Sequence, residues 1–280
     1  MIAIIGDRGK RRRYDPDLAE KINRELKEEE RRLRQESEEM KNEGLGPVML
    51  YPKNIEDICR GYEEFMELNQ ELVIPTEITD KFNPTKKQIF EFSRRLVDYK
   101  DLKEFVRNTA NYLTALMHSS EDDDFFIDFT KLNKKGIKLD YIGCLLENKK
   151  LGVYGNARDF VGDSAKDSKI IVNGDAGDCV GRRGERLGII IDGNAGNGLG
   201  SNAISSKIIV NGNAAGCVGL HSKNSEIIVN RDAGMYVGNY AENSIIKIRG
   251  SIQSLADTIG EGTKVYKGNG IGRWNQVYPK

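Results

Sequence analysis

Proton transfer near neutral pH most often recruits histidine, and this chain has two, His118 and His221. His118 falls at the end of a predicted helix and His221 on a predicted turn. Neither has partners at the spacing of a nucleophile triad or a metal-ligand set, so both are read as ordinary surface residues. The run Glu121-Asp122-Asp123-Asp124 carries enough charge to attract a divalent cation, but consecutive acids after Ser119-Ser120 read better as a solvated loop. Cys59, Cys144, Cys179 and Cys217 contain no CxxC pair, which leaves out a zinc knuckle or a thioredoxin-like motif. No catalytic residue or metal ligand is assigned, and no cofactor or small-molecule substrate is expected.

The clearest remaining chemistry is electrostatic. Residues 1–14 form a basic arm in which Arg8, Lys10, Arg11, Arg12 and Arg13 stand close together with Asp7 as the opposing charge. Such an arm can neutralise phosphates, each contact adding a salt-sensitive increment to affinity, although it lacks a base-reading element. The bland alternative is a solvated tail. With 43 basic and 43 acidic residues the chain has no global field for nucleic acid, so binding of that kind must be local.

Two compositions are joined near residue 136. Residues 15–135 are rich in Glu, Lys and Arg and poor in glycine, and read as a helical domain. Asp15-Pro16 is a sound helix start, and the long charged helix that follows carries only a thin apolar stripe at Leu18, Ile22, Leu26, Leu33 and Met40. That helix either projects toward a partner or is a solvated element steadied by ion pairs. Further helices are expected near Asn54, at the Asn83-Pro84 cap and near Asp101, with Ile55, Ile58, Tyr62, Phe65 and Leu72, then Leu102, Phe105, Thr109, Leu113 and Leu116, at helical spacing.

The second part, residues 136–280, is periodic. Gly143, Gly162, Gly181, Gly200, Gly219 and Gly238 stand nineteen residues apart, each preceded by Ile, Val or Leu. Apolar triplets such as Ile170-Ile171-Val172, Ile189-Ile190-Ile191, Ile208-Ile209-Val210 and Ile227-Ile228-Val229 recur with the same period, degenerating to Ile246-Lys247-Ile248. Asn-Gly or Asp-Gly follows most of them, and alanine closes the unit. Short β-branched strands with tight turns at a fixed spacing imply stacked coils, each advancing about 4.8 Å. Six coils make a rod roughly 29 Å long by that spacing.

The segments GDAGDCVGRRGERLGIIIDG and GNAGNGLGSNAISSKIIVNG resemble the GXGXG-type β-helix at the C-terminus of the glutamate synthase large subunit and in the C subunit of formylmethanofuran dehydrogenase. The resemblance covers residues 141–252 and implies a fold; in those families the β-helix is a structural partition, so it implies no catalytic residue. The paired glycines that usually precede the strand are represented only by Gly188, with Lys169, Lys207 and Glu226 in that place elsewhere.

Side chains alternate along a strand, so the flanking pairs of each triplet and its central residue face opposite ways. With the pairs inside, Ile171, Ile190, Ile209 and Ile228 form an outer apolar stripe, which is covered either by the protein's own N-terminal helices or by a second copy about a two-fold axis. The expected caps are Phe125 to Phe129 with Ile137 to Leu139 at one end of the rod, and Lys264-Val265-Tyr266 with the tail around Trp274 at the other.

The expected fold is α+β in two domains: a helical domain with a long charged helix, then a right-handed parallel β-solenoid of about six nineteen-residue coils. The start MIAIIG is too short for a signal segment and no run of eighteen apolar residues occurs, so a cytoplasmic location without a membrane partner is expected. Charged residues at 31% fit a thermophilic origin. The expected role is a non-catalytic, homodimeric scaffold docking on RNA or ribosomal proteins. The alternative is an accessory β-helix subunit of a multisubunit oxidoreductase, as the resemblance implies.

Overall fold

The computed structural model describes residues 53–67, 83–268 and 273–279. The chain divides into two units, Met1–Met49 and Leu50–Lys280, and all described residues belong to the second. The basic arm and the charged helix expected from Asp15 lie outside the described residues.

The second unit is a parallel β-solenoid with a few helices packed at its start. Helix α1 spans Lys53–Glu67, α2 Lys86–Arg95 and α3 Phe105–Ser119, with a 3-10 turn at Leu96–Tyr99. Strand β1 (Asp124–Asp128) and the short helix α4 (Thr130–Lys134) lead into the repeats. Strands β2 (Lys150–Tyr154), β3 (Lys169–Asn173), β4 (Gly188–Ile191), β5 (Lys207–Val210), β6 (Glu226–Val229), β7 (Ile245–Ile248), β8 (Lys264–Gly268) and β9 (Trp274–Tyr278) complete a nine-stranded sheet in chain order. Every pairing is parallel until β9, which turns back antiparallel on β8.

The helices differ from expectation in detail. Thr85, not Asn83, caps α2, through a capping box in which its hydroxyl accepts from Gln88 and the Gln88 side chain accepts from the Thr85 N–H. The third helix starts at Phe105 and not near Asp101: Glu104 sits in the left-handed region at φ 58°, and Leu102 is outside the helix and 38% exposed. Residues 96–104 instead turn the chain so that Phe105 can enter the core. There, Tyr62, Phe92 and Tyr112 pack edge to face at 5.3–5.7 Å. The Tyr112 hydroxyl donates to the Ile58 carbonyl at 2.7 Å, which gives this buried phenol its partner.

The apolar core runs unbroken from Ile58 in α1 to Val265 in β8. Along each coil, Ile170 and Val172, Ile189 and Ile191, Ile208 and Val210, and Ile227 and Val229 point inward and are at most 1% exposed. Both ends are closed where the sequence places caps. Strand β1 pairs with β2, and Ser93 of α2 accepts the Asp128 N–H at 2.9 Å. At the far end, β9 lays Val277 and Tyr278 against the core.

The recurring glycines from Gly143 to Gly219 meet two demands at once. Gly200 has φ +67°, and a Cβ there would stand 2.6 Å from Ile227 Cδ1, an inward strand residue of the next coil. Gly188 is the contrasting case, with open space to 3.8 Å and no positive φ. Gly200→Ala is therefore expected to cost about 2–4 kcal/mol in urea unfolding, from left-handed strain and overpacking together. Gly188→Ala is expected to cost less than about 1 kcal/mol.

Candidate interaction surface

Besides the recurring glycine, three positions along the coils take the left-handed conformation. One series is Tyr141, Phe160, Cys179, Cys217 and Tyr236; a second is Leu145, Ser164, Arg183, Asn202, His221 and Tyr240; a third is Asn148, Asp167, Arg186, Ser205, Asn224 and Asn243. These conformations redirect the backbone donors. The N–H groups of Phe160, Ser164 and Asp167 donate forward to the carbonyls of Asp178, Arg182 and Glu185 in the next coil. Their neighbours Gly162 and Lys166 donate backward to Ile142 and Leu146. The coils are thus bonded in both directions around their circumference, which satisfies groups that turns usually leave to water.

Side chains add ladders in the same register. Asp175, Asn194, Asn213, Asp232 and Ser251 each donate a backbone N–H to the side-chain oxygen one coil below, at 2.7–3.1 Å. A buried hydroxyl ladder runs just before the strands: Ser206, Ser225 and Ser244 donate to the carbonyls of Ile204, Lys223 and Glu242, while Ser225, Ser244 and Thr263 accept the backbone N–H of Ser206, Ser225 and Ser244. One corner lane carries ion pairs between successive coils, Lys166–Glu185 at 3.5 Å and Lys223–Glu242 at 3.1 Å, with Ile204 between them. At one corner Arg182 and Arg183 both grip Asp163, each with two hydrogen bonds, of 3.0 and 3.0 Å and of 3.3 and 2.7 Å. Burial pushes the Asp163 carboxyl up, but the two guanidinium groups outweigh it and hold it below the usual carboxylate range.

The groups considered for catalysis are absorbed into structure. Glu121 accepts from the Asn83 amide, Asp122 from the Lys86 backbone N–H at the start of α2, Asp123 from Lys149 and Asp124 from Lys86. Among the described residues no group of three or more His, Cys, Asp or Glu is placed to hold a metal ion. Cys144 is buried, and burial foremost, with the Asp163 charge adding, pushes its thiol up to about 12. His221 is exposed and stacks on Tyr240 at 4.9 Å. His118 is no ordinary surface residue: it is half-buried, and its Nε2 accepts the Glu147 backbone N–H at 3.2 Å, fastening α3 to the first coil.

The four isoleucines expected on the outside occupy one lane, paired in the order Ile171, Ile190, Ile209, Ile228. They stand apart from the inner core, yet Ile171 and Ile190 are 7% and Ile209 4% exposed, with Ile228 half-buried. Lys207 and Lys247 both bind Glu226, at 3.0 and 2.7 Å, and close the lane where it meets β7. Arg8, Lys10, Arg11, Arg12 and Arg13 lie outside the described residues. No helix among the described residues is long and apolar enough to cross a membrane.

No protein-family model, curated protein or solved structure matches this chain.

His118 gives a pH dependence of definite sign. Burial, with a smaller push from Lys149, lowers its pKa against the opposing pull of Glu147. The folded state therefore binds fewer protons than the unfolded chain, and stability is full above about pH 6.5 and declines as pH falls below it. Urea unfolding followed from pH 7.5 to 5 is expected to show that decline in the wild type and a shallower one in His118→Gln.

Proposed function

We propose that this protein is a non-catalytic scaffold that docks on a macromolecular partner, and that the partner is a ribonucleoprotein such as a ribosomal subunit. The observation carrying the scaffold reading is the closure of the rod: its coils bond in both directions and its ends are capped. Such a body presents a fixed surface at no further ordering cost. The ribonucleoprotein reading rests on the basic arm at Arg8, Lys10, Arg11, Arg12 and Arg13, whose charge suits a phosphate-rich surface. The solenoid resembles the GXGXG β-helix in its repeat pattern, and the same proposal includes a right-handed winding.

A two-fold dimer through Ile171, Ile190, Ile209 and Ile228 would have to use a lane that is almost closed to water in the single chain. At 4–7% exposure Ile171, Ile190 and Ile209 offer little apolar area for a second copy to bury, and Ile228 alone is half-buried. We therefore place docking, and not self-association, at the centre of the function.

Sedimentation tests both points. The wild type is expected to travel with ribosomal fractions at low salt, and a variant with Arg8, Lys10, Arg11, Arg12 and Arg13 changed to serine is expected to lose most of that association. Equal behaviour of the two would remove the arm from the mechanism, and copurification with flavin, iron–sulfur or molybdenum proteins in place of RNA would favour the oxidoreductase subunit. The free protein is expected to sediment as a monomer; a dimer dissolved by Ile190→Glu/Ile209→Glu would reinstate the isoleucine seam.

A further inference from the structure

The outer face of the sheet changes character at its C-terminal end. Three lanes run along it, and at β7 each departs from its earlier composition. The first lane passes from Glu226 through Ile245 to Lys264. In the second, the isoleucines give way to Lys247, then Tyr266, which pairs with Gln276 of β9. Beside Lys247, the third lane reaches Arg249 in the residue after β7. Gly268 follows on β8 and pairs with Trp274 of β9.

That third lane is built around a missing side chain. Gly268 packs its backbone against Arg249, where a Cβ would stand 2.5 Å from the Arg249 carbonyl. Across the gap, the Arg249 guanidinium lies over the Trp274 ring at 5.7 Å. Arg249 and Lys264 are exposed, and Tyr266 and Trp274 are half-exposed. Glu226 is the one carboxylate among the described residues of these lanes from β6 onward, and Lys207 and Lys247 already bind it. The face therefore presents cations interleaved with aromatic rings on a rigid, end-capped sheet.

We propose that this face, formed by Arg249, Lys264, Tyr266 and Trp274, binds single-stranded nucleic acid. Cationic side chains track the phosphates, and the rings offer flat surfaces on which bases stack without regard to sequence. An acidic protein segment would answer the charge but has no use for the Trp274 and Tyr266 rings, which the sheet carries on the same face. The inference deepens the ribonucleoprotein reading, on which it rests, by giving the described part of the chain a contact of its own. The face has no base-edge readers, so little sequence preference is expected.

Trp274 is the only tryptophan in the chain, so its fluorescence reports on this face alone. Full-length protein, both wild type and with the arm changed to serine, would be titrated with a fluorescein-labelled twelve-nucleotide oligouridylate, following anisotropy and, with unlabelled oligomer, tryptophan emission. Saturable quenching is expected in both proteins. Trp274→Ala is expected to weaken binding about five- to hundred-fold while Trp274→Phe largely retains it. Arg249→Glu/Lys264→Glu is expected to weaken binding at least tenfold and to reduce the slope of log affinity against log salt by about 1.4. Thermal melts of all variants confirm folding.

Unchanged tryptophan emission at saturation, face variants that bind like their parent, or polyglutamate binding as tightly as the oligomer would each overturn the proposal. Loss of ribosome sedimentation with this binding intact would remove the docking reading and leave the face standing. Sedimentation that survives while the face fails would do the reverse.

Discussion

Everything in the described structure depends on coils that superimpose at every nineteenth residue. A strand in an ordinary sheet can slip in register and recover most of its hydrogen bonds. Here a slip would misalign the strand ladder, the backbone bonds at three corners, the serine ladder and the Asn/Asp ladder together. That simultaneity explains why small backbone details recur so faithfully, and why bulky residues such as Tyr141, Phe160 and Leu145 accept left-handed conformations that cost about 1–2 kcal/mol each. The forward hydrogen bond from each of those residues offsets the strain, and it forms only when the next coil is in place.

The same register determines what the surface can offer. Stacking places like positions directly above one another, so a lane has the character of whichever residue the repeat puts there. On one corner lane Lys166 pairs with Glu185 and Lys223 with Glu242, with Ile204 between the two pairs. Where the repeat decays, lanes acquire new chemistry: the last apolar triplet takes Lys247 at its centre, and the strands beyond it bring Lys264, Tyr266 and Trp274 to the outer face.

Much of the solenoid was legible because its signals are periodic and chemically simple. Glycine at Gly143 through Gly219 marks a left-handed backbone position where a Cβ would crowd the strand isoleucines, and β-branched triplets mark the strands. Both capping segments were identifiable as apolar runs just outside the repeat. The corners were not, since left-handed conformation is usually announced by Gly or Asn, and here it falls also on Tyr, Phe, Leu and Arg. The serine ladder was hidden because Leu187 interrupts it and because a serine before a strand reads as a turn residue. His118 looked like a surface residue until the first coil was seen to seat against it. The isoleucine lane was correctly separated from the inner pairs by alternation, but alternation gives only the direction of a side chain and not its exposure.

The central claim, that register and not local composition holds the rod, is tested most directly by thermal unfolding of two deletion variants followed by circular dichroism. Removing one whole coil, Gly188–Ser206, joins Leu187 to Lys207 with every ladder realigned, and the shortened protein is expected to unfold cooperatively at a somewhat lower temperature. Removing the single exposed residue Ser205 displaces the corner from its neighbours, and a larger loss of stability is expected. A one-residue deletion tolerated better than the whole coil would contradict the account.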